Sequence, residues 1–252
     1  MNSEKLVESA DANPSNLNPS VQGAVDWFAA KVRESLNDNL RNVTVYGPAV
    51  TSLFNPNKHH IHHLIVVNHR DVNQLLALAK HSKQAMGRRI SPPLIVTEAA
   101  LRQCFDVFPL EWLDIAQFHC TVFGNPALAD FEPSRRDVRL QCERDLRSLD
   151  ILLQRGILAS GGKASRIDRL ENEASDSMIR VLRGFGWLAG DREPLLPTEV
   201  CQRCQEIAGF PLPGCLEAIR VDGRHDVETV GLLLDEIGRL SNWIDAQQAD
   251  VP

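Results

Sequence analysis

The hydrophobic pattern changes near residue 130, and this change restricts the fold more than any other feature of the 252-residue chain. Before it, short apolar or β-branched runs alternate with segments of helical period. After it, apolar residues recur at helical spacing and no strand pattern follows. We therefore predict an α/β (α+β) domain with a mixed sheet over residues 20–132 and an all-α helical bundle over residues 133–252. Residues 1–19 are polar and are expected to be disordered.

Each predicted element follows from its hydrophobic period and from the turn residues that bound it. In the first half, helices are expected over 19–40, 71–86 and 97–104, and strands or strand-like segments over 42–46, 60–67, 93–96, 110–115 and 118–123. In the second half, helices are expected over 134–158, 167–188, 198–208 and 225–247. The strands are short and lack the regular alternation with helices that is typical of a doubly wound sheet.

Composition excludes several classes of function. A net charge of −6 argues against a surface for duplex nucleic acid, which normally needs a basic face. The apolar runs are too short to cross a bilayer, and the first twenty residues contain no apolar core of a signal peptide. Six scattered cysteines fit free thiols in a reducing compartment. We therefore expect a cytoplasmic protein without membrane or duplex nucleic-acid partners.

The stretch YGPAVTSLFNPNKHHIHHLIVV, residues 46–67, is the most informative segment for function. A β-branched strand ends at the turn Gly47-Pro48, and a second strand begins near His60. This layout resembles the nucleotidyltransferase superfamily, the polymerase-β-like fold. In that family a strand leads into a Gly-Ser turn and a short helix, and the next strand carries Asp-x-Asp. Here Pro48 stands where the serine is expected, and His60 and His62 stand where the aspartates are expected.

The resemblance implies a site built around the first turn. Gly47, Pro48 and Ser52 would contact a nucleotide, and the family's third, nucleophile-activating carboxylate would be Glu111 or Asp114. Alternation along a strand would direct only one of these two acids to the site, and Glu111 is preferred. The alternative is that Glu111 is an ordinary surface carboxylate at the end of a strand.

The histidines change the metal chemistry that the resemblance implies. The family's aspartates hold two Mg²⁺ ions, and Mg²⁺ requires hard oxygen ligands. His60 and His62 would share a strand face but offer neutral nitrogen, so Mg²⁺ is not expected as a cofactor. A transition metal such as Zn²⁺ would suit them better. The other interpretation is that the acidic pair was lost and polar residues drifted into its place.

A Cys-x-x-Cys pair in the second half also suggests a metal site at first sight. Cys201 and Cys204, with Cys215 and His225 downstream, could in principle form a zinc knuckle. However, the two cysteines share one helical stripe with Val200 and Ile207. Because buried cysteine behaves as a small hydrophobic residue, core packing is the favoured interpretation.

Three functions follow from these observations. The favoured one is a nucleotidyltransferase-like protein with a degenerate active site, a pseudoenzyme that acts by binding a nucleoside triphosphate or a protein partner. The first alternative is an active nucleotidyltransferase with non-standard metal ligands. The second is a regulatory module of the toxin–antitoxin type, an idea that rests on analogy of fold alone. Whether the chain is an enzyme stays open at this stage.

Overall fold

The computed structural model describes residues 17–220 and 226–247. The chain divides into two compact units. The first, called the sheet unit below, contains residues up to 102 together with residues 115–130. The second, called the helical unit, contains residues 103–114 and those from 131 onward. Residues 103–114 therefore belong to the helical unit. The boundary predicted from the sequence, between residues 132 and 133, places them in the first domain.

The sheet unit is built on a mixed four-stranded sheet of strand order β3-β2-β1-β4. Its strands are β1 (Leu40–Tyr46), β2 (His62–Val67), β3 (Leu94–Thr97) and β4 (His119–Gly124). Strand β1 lies in the middle and pairs antiparallel with both β2 and β4, whereas β2 pairs parallel with β3. The mixed α/β architecture predicted from the sequence is thereby confirmed.

Helices complete the sheet unit. Helix α1 (Gln22–Leu36) buries Val25, Phe28, Val32 and Leu36, whose spacing of three and four residues forms one apolar stripe. Helices α2 (Val72–Ala79) and α3 (Ser82–Gly87) connect β2 to β3, and α4 (Glu98–Gln103) follows β3. The single helix expected over 71–86 is thus two helices. The expected N-terminal disorder concerns mainly residues 1–16, which lie outside the described residues.

The strand expected over residues 110–115 is wrong, because this segment lies in helix α5 (Pro109–Gln117). A short apolar run satisfies both periods, and here the partly exposed residues, Glu111 and Asp114, are three positions apart, as on one face of a helix, while the apolar residues between and around them are buried. Pro109 begins the helix, where its missing N–H costs nothing. The Gln141 side chain accepts a hydrogen bond from the Leu110 amide at 2.9 Å and so satisfies one of the free N–H groups of the first turn.

The helical unit has a single apolar core. Besides α5 it contains α6 (Arg135–Ser160), α7 (Ala164–Leu188), α8 (Pro197–Ala208), the unpredicted short α9 (Pro213–Ala218) and α10 (Val227–Ala246). Leu146, Leu182, Phe185 and Leu240 are completely buried in this core. Within the described residues, no helix is both long and apolar enough to cross a membrane. The helical bundle predicted for the second half is confirmed.

Candidate functional site

The turn at Gly47 joins the end of β1 to the segment that leads into β2. Gly47 has a φ of +77°, a conformation that glycine adopts without strain. Tyr46 pairs with His62 across the two strands, and a Cβ placed on Gly47 would lie 3.9 Å from the His62 ring. His62 is the first residue of β2, and His60 lies two residues before it. The structure therefore brings the predicted turn and His62 together.

Hydrogen bonds within the protein fix the shape of this turn. The Gly47 amide donates to the Phe118 carbonyl at 2.9 Å, and Thr51 donates from its amide and its hydroxyl to the Pro48 carbonyl. Asn18 donates from its backbone to Ala49 and from its side chain to the Thr51 carbonyl, each at 2.9 Å. The turn is formed in advance, but its glycine N–H is already engaged.

The three residues predicted to contact a nucleotide therefore differ in what they can offer. Gly47 has committed its amide to Phe118, and Pro48 has neither an N–H nor a hydroxyl. Ser52 is exposed and keeps a hydroxyl. Of the predicted set, Ser52 is the residue with a donor for a phosphate oxygen.

Of the histidines in the run His59, His60, His62 and His63, His62 lies beside the Gly47 turn. His62 is half-buried, its ring stacks on Tyr46 at 5.5 Å, and its Nδ1 lies 2.9 Å from the Ser91 hydroxyl. Burial, followed by the nearby His60 and His59, lowers the pKa of His62. A neutral ring anchored at Nδ1 directs Nε2 away from this bond. His60 is exposed and lies outside the strand.

The other two histidines of the run have structural contacts. The Nδ1 of His59 accepts the Asn55 amide at 3.0 Å, which closes the loop before β2. His63 alternates with His62 along β2, so it points to the opposite face of the sheet, where its ring lies 4.7 Å from Phe28. Neither ring nitrogen of His63 has a hydrogen-bond partner of acceptable geometry. Burial lowers the pKa of His63 to about 3.

The four strands of the sheet contain no aspartate or glutamate. Their sequences are LRNVTVY, HHLIVV, LIVT and HCTVFG. In the part of the chain that the structure describes, no group of three or more His, Cys, Asp or Glu side chains is arranged to hold a metal ion. Carboxylate oxygen, the ligand that Mg²⁺ prefers, is thus missing from the strands beside the turn.

Glu111 lies on helix α5 in the helical unit, so the strand alternation that singled it out from Asp114 does not apply. Its carboxylate accepts a 2.6 Å hydrogen bond from Gln141 and pairs with Arg180 at 3.2 Å. Asp114, one helical turn later, pairs with Arg183. The two acids are therefore on the same side of α5, and both bind α7.

The network around Glu111 includes one more carboxylate. Burial, together with the charge of Glu111, raises the pKa of Asp145. Gln141 connects the two acids, because the same side-chain amide that donates to Glu111 lies 3.5 Å from Asp145. These contacts join α5, α6 and α7, and they show Glu111 as a half-buried member of a network instead of an isolated surface acid.

The Cys-x-x-Cys pair is part of the apolar core, as predicted. Cys201 and Cys204 are completely buried on α8, and the Cys204 thiol donates to the Leu182 carbonyl. Cys215 is also buried. Burial raises the pKa of Cys204 far above its usual range, so its thiol stays protonated. His225, the fourth residue of the rejected zinc knuckle, lies outside the described residues.

Sequence reasoning missed three residues that shape the site: Asn18, Ser91 and Phe118. Each acts through a contact with a residue about 30 or more positions away along the chain. Ser91 stands before Pro92-Pro93 in an ordinary turn sequence, and Asn18 is one of several polar residues near the N-terminus. No local pattern distinguishes them, since only tertiary contacts create their roles.

Comparison with known proteins identifies the fold. No protein-family model matches the sequence, and no curated protein matches it either. Among solved structures, the chain is similar to a spectinomycin adenyltransferase from Enterococcus faecialis, crystallised with ATP and spectinomycin. The TM-score is 0.56, the sequence identity is 13%, and the match covers 89% of this chain and 99% of the other. The two proteins share their fold over most of both chains.

Proposed function

We propose that this chain is a nucleotidyltransferase-like protein that no longer catalyses Mg²⁺-dependent nucleotidyl transfer and acts by binding a nucleotide or a protein partner. One observation carries the proposal: the four strands beside the Gly47 turn contain no carboxylate. Transfer of a nucleoside monophosphate needs metal ions to neutralise charge on the phosphates as the leaving group departs. The strands of the sheet therefore offer no carboxylate to coordinate those ions.

The state of the turn supports a loss of catalysis in a second, independent way. A phosphate-binding turn works by directing N–H and hydroxyl donors at phosphate oxygens. The Gly47 amide is bound to Phe118, and Pro48 supplies neither kind of donor. The remaining hydroxyl of Ser52 and the exposed His60 suit weak binding of a phosphorylated ligand better than alignment of a reacting phosphate.

The fold is the reason to keep a nucleotide as the first ligand to test. The similar spectinomycin adenyltransferase was crystallised with ATP. In this chain the turn is held in shape by Asn18 and Thr51 without any ligand, so binding would not require the turn to reorganise. A protein partner that uses the same surface is the other form of this proposal.

The test measures turnover and binding on the same preparation. With Mg²⁺ and each of ATP, GTP, CTP and UTP, we expect no pyrophosphate release. Calorimetry should give weak nucleotide binding that does not depend on Mg²⁺ and weakens further in Ser52→Ala. The double variant His60→Asp/His62→Asp restores two hard ligands and should make binding dependent on Mg²⁺. Pyrophosphate release by the wild type that disappears in Glu111→Ala would overturn the proposal.

A second candidate is an active nucleotidyltransferase that uses a softer metal, and the geometry of His62 favours it specifically. The His62 ring is anchored through Nδ1 by Ser91, and a lowered pKa keeps it neutral, which is the form that binds metal. The same pyrophosphate assay with Zn²⁺ or Ni²⁺ in place of Mg²⁺ tests this candidate. It requires turnover that is lost in His60→Ala/His62→Ala.

A further inference from the structure

A depression lies in the sheet unit at the opposite end of β1 from the Gly47 turn. Its volume is about 480 Å³, within the range of small-molecule sites. It is lined by Ala30, Arg33, Glu34, Asn37, Leu40 and Phe123. Leu40 begins β1 and Tyr46 ends it, so this depression is about 20 Å from the turn at a rise of roughly 3.3 Å per residue.

A β-bulge directs Phe123 into this depression. Strand β4 pairs Thr121 with Thr44 but Phe123 with Val43, so Val122 is an extra residue in the ladder. In an unbroken ladder Phe123 would share the face of Thr121, and the bulge turns it to the other face, toward α1. The Arg33 guanidinium of α1 lies over the Phe123 ring, 5.2 Å from its centre.

Arg33 keeps its hydrogen-bonding groups uncommitted. Among the described residues its side chain has no acceptor, and its contact is with the ring of Phe123. The adjacent Glu34 does not neutralise it, because that carboxylate pairs with Lys31 at 2.7 Å. A guanidinium stacked on one face still offers its edge donors in a fixed fork and leaves its second face open.

Asn37, which lines the same depression, has a strained backbone. Its φ of 44° and ψ of −127° lie in a region that residues with a side chain rarely adopt. Such strain is energetically unfavourable and tends to occur at ligand sites. The surrounding bonds maintain it, since the Asn37 amide donates to the Arg33 carbonyl and the Leu40 amide donates to the Asn37 carbonyl.

We propose that this depression binds a small ligand that carries an oxyanion next to a planar ring. The oxyanion, a carboxylate or a phosphate, would bind the edge of the Arg33 guanidinium in two parallel hydrogen bonds. The ring would stack on the open face of the guanidinium, and the Asn37 side chain would add a polar contact at the rim. This inference is independent of the function proposed for the Gly47 site, because it uses none of that site's residues.

The experiment is an NMR titration of the full-length protein with benzoate and phenyl phosphate, with uncharged benzamide as the ligand control. We expect shifts at Arg33 Nε and at the Asn37 and Phe123 amides with at least one of the two anions, which also tells the two sources of oxyanion apart. Benzamide should bind roughly tenfold more weakly or not at all. Arg33→Gln should weaken anion binding by roughly tenfold or more.

Two further variants test whether the binding depends specifically on Arg33 and its contact with Phe123. Phe123→Leu should weaken binding because the guanidinium loses its support, while a thermal melt reports whether the sheet unit stays folded. Arg41→Gln removes another exposed arginine near the start of β1, one that is bound to Asn68, and should leave binding unchanged. No shifts with either anion, or equal losses in Arg33→Gln and Arg41→Gln, would refute the site.

Discussion

His63 is buried in the sheet, at a position where most sheets have an aliphatic residue. Among the described residues its buried ring has no hydrogen-bond partner of acceptable geometry, and burial lowers its pKa to about 3 from an ordinary value of 6.5. Between these two values the unfolded chain binds a proton that the folded chain does not. Stability should therefore fall as the pH decreases below 6.5, by about 1.4 kcal/mol for each pH unit.

Replacing His63 by leucine should remove this dependence on acid. Chemical denaturation of wild type and His63→Leu between pH 7.5 and pH 5 measures the slope, which should be smaller in the variant. His69→Leu is the matched control, because His69 lies on the surface and its replacement should leave the slope unchanged. Equal slopes in wild type and His63→Leu would show that His63 is not the acid-sensitive group.

The pair His60 and His62 should bind a transition metal weakly at most. His60 is exposed, His59 has used its Nδ1, and His63 faces the other side of the sheet, so the cluster supplies few convergent ligands. Calorimetry with Zn²⁺ or Ni²⁺ at pH 7.5 should show no tight equivalent. Whatever binding occurs should weaken in acid, because protonated histidine has no free lone pair.

The double variant His60→Ala/His62→Ala and the core pair Cys201→Ala/Cys204→Ala provide the comparison. The first should abolish the weak binding, and the second should preserve it because those thiols are buried in the helical unit. One tight equivalent per chain that is lost only in the histidine variant would contradict this prediction. It would favour an active or structural metal site on β2.

At the scale of elements, the packing of α5 against α6 and α7 leaves no space for an added methyl group. A Cβ at Gly184 on α7 would lie 2.4 Å from the Leu110 side chain and 2.7 Å from the Cys142 sulfur. Gly184→Ala should therefore destabilise the protein by about 1–3 kcal/mol, as is typical of overpacked cores. Thermal or urea denaturation measures the change.

Gly186, two residues later on the same helix, is the matched control. A Cβ there has its nearest contact at 3.8 Å, which is ordinary van der Waals distance. Because alanine costs less conformational entropy than glycine in a helix, Gly186→Ala should be neutral or slightly stabilising. If both variants lose the same stability, the contact between α5 and α7 is looser than the structure indicates.

At the scale of the whole molecule, the helical unit is completed by residues that precede β4 in the chain. Leu110 and Leu113 of α5 belong to its buried core. A fragment of residues 131–252 should therefore melt at a lower temperature and less cooperatively than a fragment of residues 103–252. Losing two buried leucines costs about 2–5 kcal/mol each. Circular dichroism melts measure this, and identical melts would show that α5 is dispensable.

Much of this architecture could be predicted from sequence because it rests on local periodicity. The stripe of α1 and the helices of the second half other than α9 each bury one face at regular spacing, and β1, β2 and β4 are short apolar or β-branched runs between turn residues. Both signals are visible in a single chain. The presence of His60 and His62 where the resemblance places two aspartates was equally visible, as was the core position of Cys201 and Cys204. The residue types on which the proposed loss of Mg²⁺ chemistry rests are therefore determined by the sequence.

Tertiary structure alone decided the features that depend on distant contacts. Residues 110–115 satisfy both strand and helix periods, and the choice depends on the packing of the apolar residues in the helical unit and on Gln141, which lies 31 residues from Leu110. Because the segment folds as a helix, Glu111 belongs to a network between helices and does not lie on a strand. The bulge that turns Phe123 toward Arg33 follows from pairing between strands 80 residues apart, an energy that no local segment contains.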